Sequence, residues 1–315
     1  MNGMGTTNEY ESGIDDFIKR KRYRQVNSVL IYRDGEILAQ SYYNGFTDES
    51  RNVIKSVAKS VMSICVGIAL DKGMLPGLDE PICRYIPQFD EGRDPFHCAI
   101  TVRHLLTMTS GIYWNGGVHY HCPMMTQMRR SGDWVSHIAD CVVSDLPGTR
   151  YCYKEWDVIL LAKVLDAVCG DCYDFLKENL YDPLGICSER WYRTPCGVYY
   201  SVAGAEGEAE ECRSSLTAQE MLRLGVLFLN GGTYGGQRVI SEAYIRQAVA
   251  PSECNEGYGY LWLRGDGWYG CRGFGGQSIT VVPQKGAVVV TQAAPTARGM
   301  AYFDLIEYCL ELCLI

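Results

Sequence analysis

Apolar and polar positions along the chain change period several times, and each change marks an element. Over residues 9–22 the apolar positions Ile14, Phe17 and Ile18 fall on one helical face. The run VNSVLIYRDGEILAQSYY then reads as two β-rich stretches around Arg33-Asp34-Gly35, and Asp-Gly is a strong hairpin turn signal. A continuous apolar run, ICVGIAL, follows the polar stretch KSVAKSVMS and predicts a buried helix opened near Ser56. Residues 73–98 carry Gly73, Pro76, Gly77, Pro81, Pro87, Gly92 and Pro95, which predicts loop with short turns.

Thr101 is an N-cap for the helix TVRHLLTM, and Ser110-Gly111 ends it. Helical patterns recur at 131–142, 155–168 and 171–180, and residues 196–212 read as irregular. Thr217 caps AQEMLRLGVLFL, which stops at Asn230-Gly231-Gly232, and Ser241 opens another helix. From Tyr258 the pattern changes to short strands with Gly turns: GYLWLR, GWYGCRG, SITVVP and AVVVTQA. Asp304, Glu307 and Glu311 then recur at helical spacing in a last amphipathic helix.

The ends are therefore strand-rich and the middle helical. The expected class is α+β: an antiparallel sheet flanked by N- and C-terminal helices, with a mostly helical region inserted. The expected division is 1–50 with 205–315 as a discontinuous sheet domain and 51–204 as the helical region, the active site lying in the cleft between them.

Composition narrows the function classes. Of 315 residues, 47% are hydrophobic and 21% charged, as in soluble globular proteins. A net charge of -8 with no basic cluster beyond Lys19–Arg24 argues against a nucleic-acid partner. The longest apolar segment, Ile64–Leu70, is too short to cross a bilayer, so no membrane partner is expected. The first residues lack the basic and apolar regions of a signal peptide, and the 15 cysteines are scattered and odd in number. The reading is a cytoplasmic protein with reduced thiols. Its oligomeric state is left open.

Three segments carry candidate chemistry. Ser56-Val57-Ala58-Lys59 is an S-x-x-K, which places a hydroxyl and an amine on one helical face. At a helix N-terminus the dipole supports a developing oxyanion, and a desolvated Lys there can serve as a base. With 18 Ser and 9 Lys, chance alone supplies about half of one such motif, so it needs partners. Pro147-Gly148-Thr149-Arg150-Tyr151-Cys152-Tyr153-Lys154-Glu155 is a turn into a helix, and a Tyr at that boundary can project its hydroxyl into a cleft as a general base. Cys271-Arg272-Gly273-Phe274-Gly275-Gly276-Gln277 lies among the strands, where glycines let a ligand approach the backbone closely.

The order and spacing of these three segments resemble the class C β-lactamase-related serine hydrolases, which include penicillin-binding-protein-like peptidases, family VIII-type esterases and aminohexanoate-oligomer hydrolases. LDEPICRYIPQF, ITVRHLLTMTSGIYW, SLTAQEMLRLGVLFLNGGTYGGQRVISEAYI and GFGGQSITVVPQKGAVVV add to the likeness, which covers about residues 25–312. The resemblance implies Ser56 as the acylated nucleophile, Lys59 as its proton relay, and Tyr153 as second base and acid for the leaving group. It also implies an oxyanion hole from the N–H groups of Ser56 and Phe274. Read from the residues themselves, Gly273, Arg272, Cys271 and Glu155 are further candidates around the substrate, and Trp114 is either an apolar cleft wall or ordinary packing. The implied activity is hydrolysis of a small ester or amide through an acyl-enzyme, without a cofactor or a metal. The alternative is a non-catalytic relative binding a ligand or peptide in the same cleft.

Two positions depart from the family pattern. Y-x-N becomes Tyr153-Lys154-Glu155, and a carboxylate beside Lys59 would hold it as an ammonium. K-T-G or H-x-G becomes Cys271-Arg272-Gly273, so the Lys that engages a β-lactam carboxylate is missing. Arg272 alternates to the other side of the strand from Cys271 and is no automatic substitute. Both departures argue against an efficient β-lactamase. Among the remaining candidates, Cys169-Gly170-Asp171-Cys172 lacks the second ligand pair of a zinc site, and Gly170 reads as a helix C-cap. His119 and His121 share a face in an extended segment but have no third ligand at a telling spacing.

Overall fold

The computed structural model describes residues 8–116, 122–188, 190–199, 201–202, 214–295 and 301–313. The N-terminal part holds α1 (Glu9–Lys21), β1 (Val26–Arg33), β2 (Glu36–Tyr42), β3 (Asn52–Val53) and α2 (Val57–Asp71). The middle holds α3 (Val102–Leu106), α4 (Pro123–Arg130), α5 (Trp134–Ala139), α6 (Glu155–Cys169), α7 (Cys172–Leu176) and α8 (Asp182–Leu184). The last part holds β4 (Ser215–Leu216), α9 (Ala218–Leu229), β5 (Thr233–Tyr234), β6 (Gln237–Arg238), α10 (Glu242–Ala248), β7 (Leu263–Gly265), β8 (Trp268–Gly273), β9 (Gln277–Val282), β10 (Ala287–Ala293) and α11 (Phe303–Leu312).

Local chemistry explains where the main elements start and turn. Asn8 and Glu11 form a reciprocal capping box that opens α1, and Lys19, Arg20 and Lys21 fill its last turn. Asp34 and Gly35 take positive φ values of 48° and 100°, as a two-residue hairpin turn requires. Thr217 and Glu220 form a second capping box at α9.

Antiparallel pairing orders the main sheet β2-β1-β10-β9-β8-β7. The two ends of the chain thus meet at its centre, with Val29 opposite Thr291 in the β1–β10 pair. Alternation along β10 sorts side chains by face. Ala287, Val289 and Ala293 join Ile14, Phe17, Leu305 and Ile306 of α1 and α11, whereas Val288 and Val290 join the larger core with α2, α6 and α9. The expected α+β class holds, with helices on both faces of an antiparallel sheet.

Three local expectations are corrected. The helix expected at 131–142 is shorter, α5 at Trp134–Ala139, and a separate α4 precedes it. Gly132, at φ 74°, ends α4, and Asp133 caps a separate α5 by accepting from the Val135 and Ser136 amides. The helix expected at 171–180 passes into a π-helical turn at Lys177–Tyr181. In GYLWLR only Leu263 and Arg264 enter β7. Before them Leu261 stands at φ 60°, donates its amide to the Leu106 carbonyl and accepts from the Ser60 hydroxyl, so tertiary bonds replace ladder bonds. Among the described residues no helix is long and apolar enough to cross a membrane, and the cysteines are free.

Candidate active site

The serine is placed by a strand, a strained turn and a helix in immediate succession. β3 pairs with β4, and the Ile54 amide donates to Ser214 O. Lys55 then takes the left-handed conformation at φ 51°, and Ser56 starts α2. A non-glycine residue in that region carries strain, and here it turns the chain sharply before the helix. The Ser56 hydroxyl caps no backbone amide, and among the described residues no hydrogen bond engages its own N–H. Both groups point out of the helix start, where the dipole favours negative charge.

One turn on, Lys59 is 1% exposed, and its Nζ donates to Ser56 Oγ at 3.2 Å. The same Nζ lies 3.4 Å from Glu155 Oε1 and 5.0 Å from the centre of the Tyr153 ring. Burial pulls the Lys59 pKa down, but the charges and hydrogen bonds of Tyr153 and Glu155 outweigh it, and the net shift is upward. Lys59 is therefore a buried cation that holds the serine oxygen by a charge-assisted hydrogen bond.

The backbone ahead of α6 explains how one short segment serves two sides. Lys154 is extended at φ -152° and ψ 155°, so neighbouring side chains alternate. Tyr153 and Glu155 go to Lys59. Lys154 goes the other way and donates to the Ser110 hydroxyl at 3.1 Å and to Ile112 O at 2.9 Å. Ser110 in turn donates to Asp157 Oδ1 at 2.6 Å. Two bonds fasten the segment to the end of α3: the Gly148 amide to Thr109 O and the Cys152 amide to Met108 O. Tyr153 is 40% exposed, which puts it at the rim of a site whose floor is Lys59.

β8 supplies the facing wall. Gly273 lies so close to the nucleophile turn that a Cβ built on it would stand 2.3 Å from Ile54 O. Phe274 follows in the turn between β8 and β9. Cys271 is buried, and its thiol is raised to about 12, first by burial, with hydrogen bonds from Ser60 and the Ile279 backbone opposing. Arg272, expected among the substrate-binding residues, is placed elsewhere. Strand alternation sends its guanidinium between the rings of Trp268 and Phe303, at 5.4 and 5.6 Å, and to Thr280 Oγ1 at 2.7 Å. The missing family lysine is not replaced by this arginine.

Trp114 is half-buried and packs edge-on against Trp156 at 5.0 Å. The structure adds Tyr258, a buried ring that meets Tyr151 at 5.1 Å and Tyr153 at 6.4 Å. It also adds Cys122, whose thiol is raised first by burial and further by the Glu155 carboxylate. No motif marks either residue, since one Tyr among 22 and one Cys among 15 carry no signal of their own. His119 and His121 lie outside the described residues. Cys169 ends α6 with Gly170 at φ 88°, and its thiol points to Met74 Sδ at 3.9 Å.

An antiparallel sheet flanked by helices, with S-x-x-K at a buried helix start and a tyrosine against that lysine, defines a β-lactamase/transpeptidase-like fold. The chain belongs to the Beta-lactamase family, whose model matches residues 14–301. It is 24% identical over 251 residues to the 6-aminohexanoate-dimer hydrolase of Paenarthrobacter ureafaciens, a match covering 75% of this chain and 60% of that protein. An acyltransferase of Penicillium decumbens, calJ, is 35% identical over 153 residues, which cover 42% of this chain and 36% of that one. The chain thus matches less than two thirds of the length of either relative. Among solved structures, the penicillin binding protein from Bacillus halodurans superposes with a TM-score of 0.73 at 18% identity, covering 95% of this chain and 99% of that one. EstCE1, a hydrolase with promiscuous acyltransferase activity, superposes with a TM-score of 0.72 at 17% identity, covering 96% and 98%. At these identities the solved structures speak to the fold alone.

Proposed function

We propose that this chain is a serine hydrolase that cleaves a small ester or amide through an acyl-enzyme on Ser56. The observation that carries the proposal is the 3.2 Å contact between Ser56 Oγ and the buried Lys59 Nζ, with Tyr153 on the open side of that lysine. Because Lys59 is held as an ammonium, it supplies positive potential at Oγ rather than a free lone pair to accept the proton. Acting as the base, the Tyr153 oxygen takes the Ser56 proton as Oγ bonds to the substrate carbonyl carbon. It then returns that proton to the leaving alcohol or amine as the ester or amide bond breaks. Water repeats the sequence against the acyl group, giving its proton to Tyr153 and restoring Ser56. The N–H groups of Ser56 and Phe274 stabilise the oxyanion in both steps. The names of the relatives, a dimer hydrolase and an acyltransferase, support acyl chemistry of this kind. The absence of a lysine at position 271 or 272 near the cleft argues against efficient turnover of β-lactams.

The test is intact mass after incubation with a fluorophosphonate, a labelled penicillin, short-chain esters and D-amino-acid amides. The parent protein gains one adduct, mapped to Ser56, and Ser56→Ala gains none. An equal adduct on Ser56→Ala sinks the proposal. A second reading, a binding-only relative, draws on the same Glu155 contact with Lys59. It predicts thermal stabilisation by ligand with neither adduct nor turnover.

A further inference from the structure

Away from the cleft, the loop between α2 and α3 is built from three one-turn 3-10 helices, Ile82–Arg84, Pro87–Phe89 and His97–Ala99. Cys83 and Cys98 are the middle residues of the first and third, and Asp90 follows the second. Their two sulfurs and a carboxylate oxygen all lie within 4.8 Å of one another. Cys98 Sγ stands 3.9 Å from Asp90 Oδ1 and 3.7 Å from Phe89 O. Cys83 is half-buried, while Cys98 and Asp90 are exposed, so an ion can enter from solvent.

We propose that Cys83, Asp90 and Cys98 form a binding site for a thiophilic divalent cation of the zinc class, with water as the fourth ligand. In a tetrahedral zinc site with Zn–S of about 2.3 Å and Zn–O of about 2.0 Å, sulfur and oxygen ligands stand about 3.5 Å apart and two sulfurs about 3.8 Å apart. The Cys98–Asp90 distance of 3.9 Å is thus within about 0.4 Å of the holo spacing, a movement that exposed side chains make without backbone change. Two thiolates and one carboxylate suit zinc or cadmium far better than calcium or magnesium.

Binding releases protons. Two Cys thiols and Zn²⁺ give a bis-thiolate complex and two protons to solvent. The thiols must give up these protons to bind the ion, so binding weakens as pH falls. His97, next to Cys98, is not a ligand; its buried ring packs on Phe89 at 4.5 Å. The function of the ion is to tie three turns with few mutual backbone bonds into one unit. That unit is anchored to the α5 end by Arg93–Asp140 at 2.7 Å and by the Val143 amide on Asp94.

The experiment uses the full chain, purified reduced and stripped with a chelator. Zn²⁺ alone is titrated against alkylation by iodoacetamide, with each cysteine followed by peptide mass. We expect Zn²⁺ to slow labelling of Cys83 and Cys98 together by at least about tenfold, and the chelator to restore it. Cd²⁺ is expected to give one equivalent of a thiolate charge-transfer band. That band is lost in Cys83→Ser and Cys98→Ser, and its affinity falls about tenfold or more in Asp90→Asn. Unchanged labelling of both cysteines at saturating Zn²⁺ overturns the site, as does a full band in the Cys83→Ser/Cys98→Ser variant. The labelling readout on the parent protein stands even where a variant fails to fold.

Discussion

At the scale of single residues, Glu155 decides how the Ser56–Lys59 pair works. Its carboxylate and Tyr153 together keep Lys59 cationic despite complete burial. Removing the Glu155 carboxylate lowers the Lys59 pKa. In Glu155→Asn the high-pH limb of kcat/KM should therefore move to lower pH, because the ammonium is lost earlier. A pH–rate profile with a short-chain ester reads this directly. If instead Glu155→Asn raises activity at neutral pH about tenfold while its low-pH limb moves down, Lys59 is the base and Glu155 restrains it. Ser56, Lys59 and Glu155 were legible in the sequence because helical spacing fixes i and i+3 neighbours and the family order supplies the third partner. Tyr258 and Cys122 were not, since their approach depends on loop paths that no local rule sets. Arg272 was half legible. Strand alternation put it on the face away from Cys271, but its stacking between Trp268 and Phe303 needed the placement of α11.

At the scale of elements, the site depends on how closely β8 approaches the turn before α2. Gly273 has no unusual φ to satisfy; what it satisfies is space, because a Cβ would overlap Ile54 O at 2.3 Å. In Gly273→Ala the strand end or the turn must retreat. The expected stability cost is about 1–3 kcal/mol, as for other overpacked positions. The Phe274 amide would move away from the oxyanion position, and a displacement of about 1 Å in such a site costs about a hundredfold in rate. Chemical denaturation and adduct-formation kinetics on the same preparation separate the two effects. A variant that loses stability but labels at the parental rate would show that β8 does not position the oxyanion hole. The elements themselves were largely readable. Apolar spacing located α1, capping residues located α3, α9 and α10, Asp34-Gly35 located the hairpin, and short β-rich runs between glycine turns located β8 to β10. The stretch around Leu261 was misread because its backbone bonds go to Leu106 and Ser60, partners distant in sequence. The three thiol and carboxylate ligands of the 73–98 loop were missed because their spacing matches no short motif.

At the scale of the whole molecule, the fold carries a buried charged network directly behind the site, and its cost should appear in global stability. Lys154, Ser110 and Asp157 are all buried, linked by bonds of 3.1 and 2.6 Å, and Asp157 Oδ2 has no partner among the described residues. Burial pushes Asp157 up to about 6, with Lys154 and the Ser110 hydrogen bonds opposing. The native state therefore binds this proton more tightly than the unfolded chain, whose ordinary value is 3.8. The stabilising contribution is complete below pH 3.8 and is lost as pH rises through about 6. Its size is at most about 3 kcal/mol, since each tenfold gain in proton affinity is worth about 1.4 kcal/mol. In Asp157→Asn this fall should vanish. The difference in unfolding free energy between parent and variant should then change steadily between about pH 4 and pH 6 and stay constant above. The asparagine mimics the protonated acid and leaves Lys154 its bonds to Ser110 and Ile112 O, so the variant should stay near the parent's low-pH level across the range. Urea titrations of both proteins across that range measure the slope independently of the offset. A parent-minus-variant difference that does not change with pH would mean that Asp157 is ionised throughout, held so by Lys154, and that the network is an ion pair at every working pH.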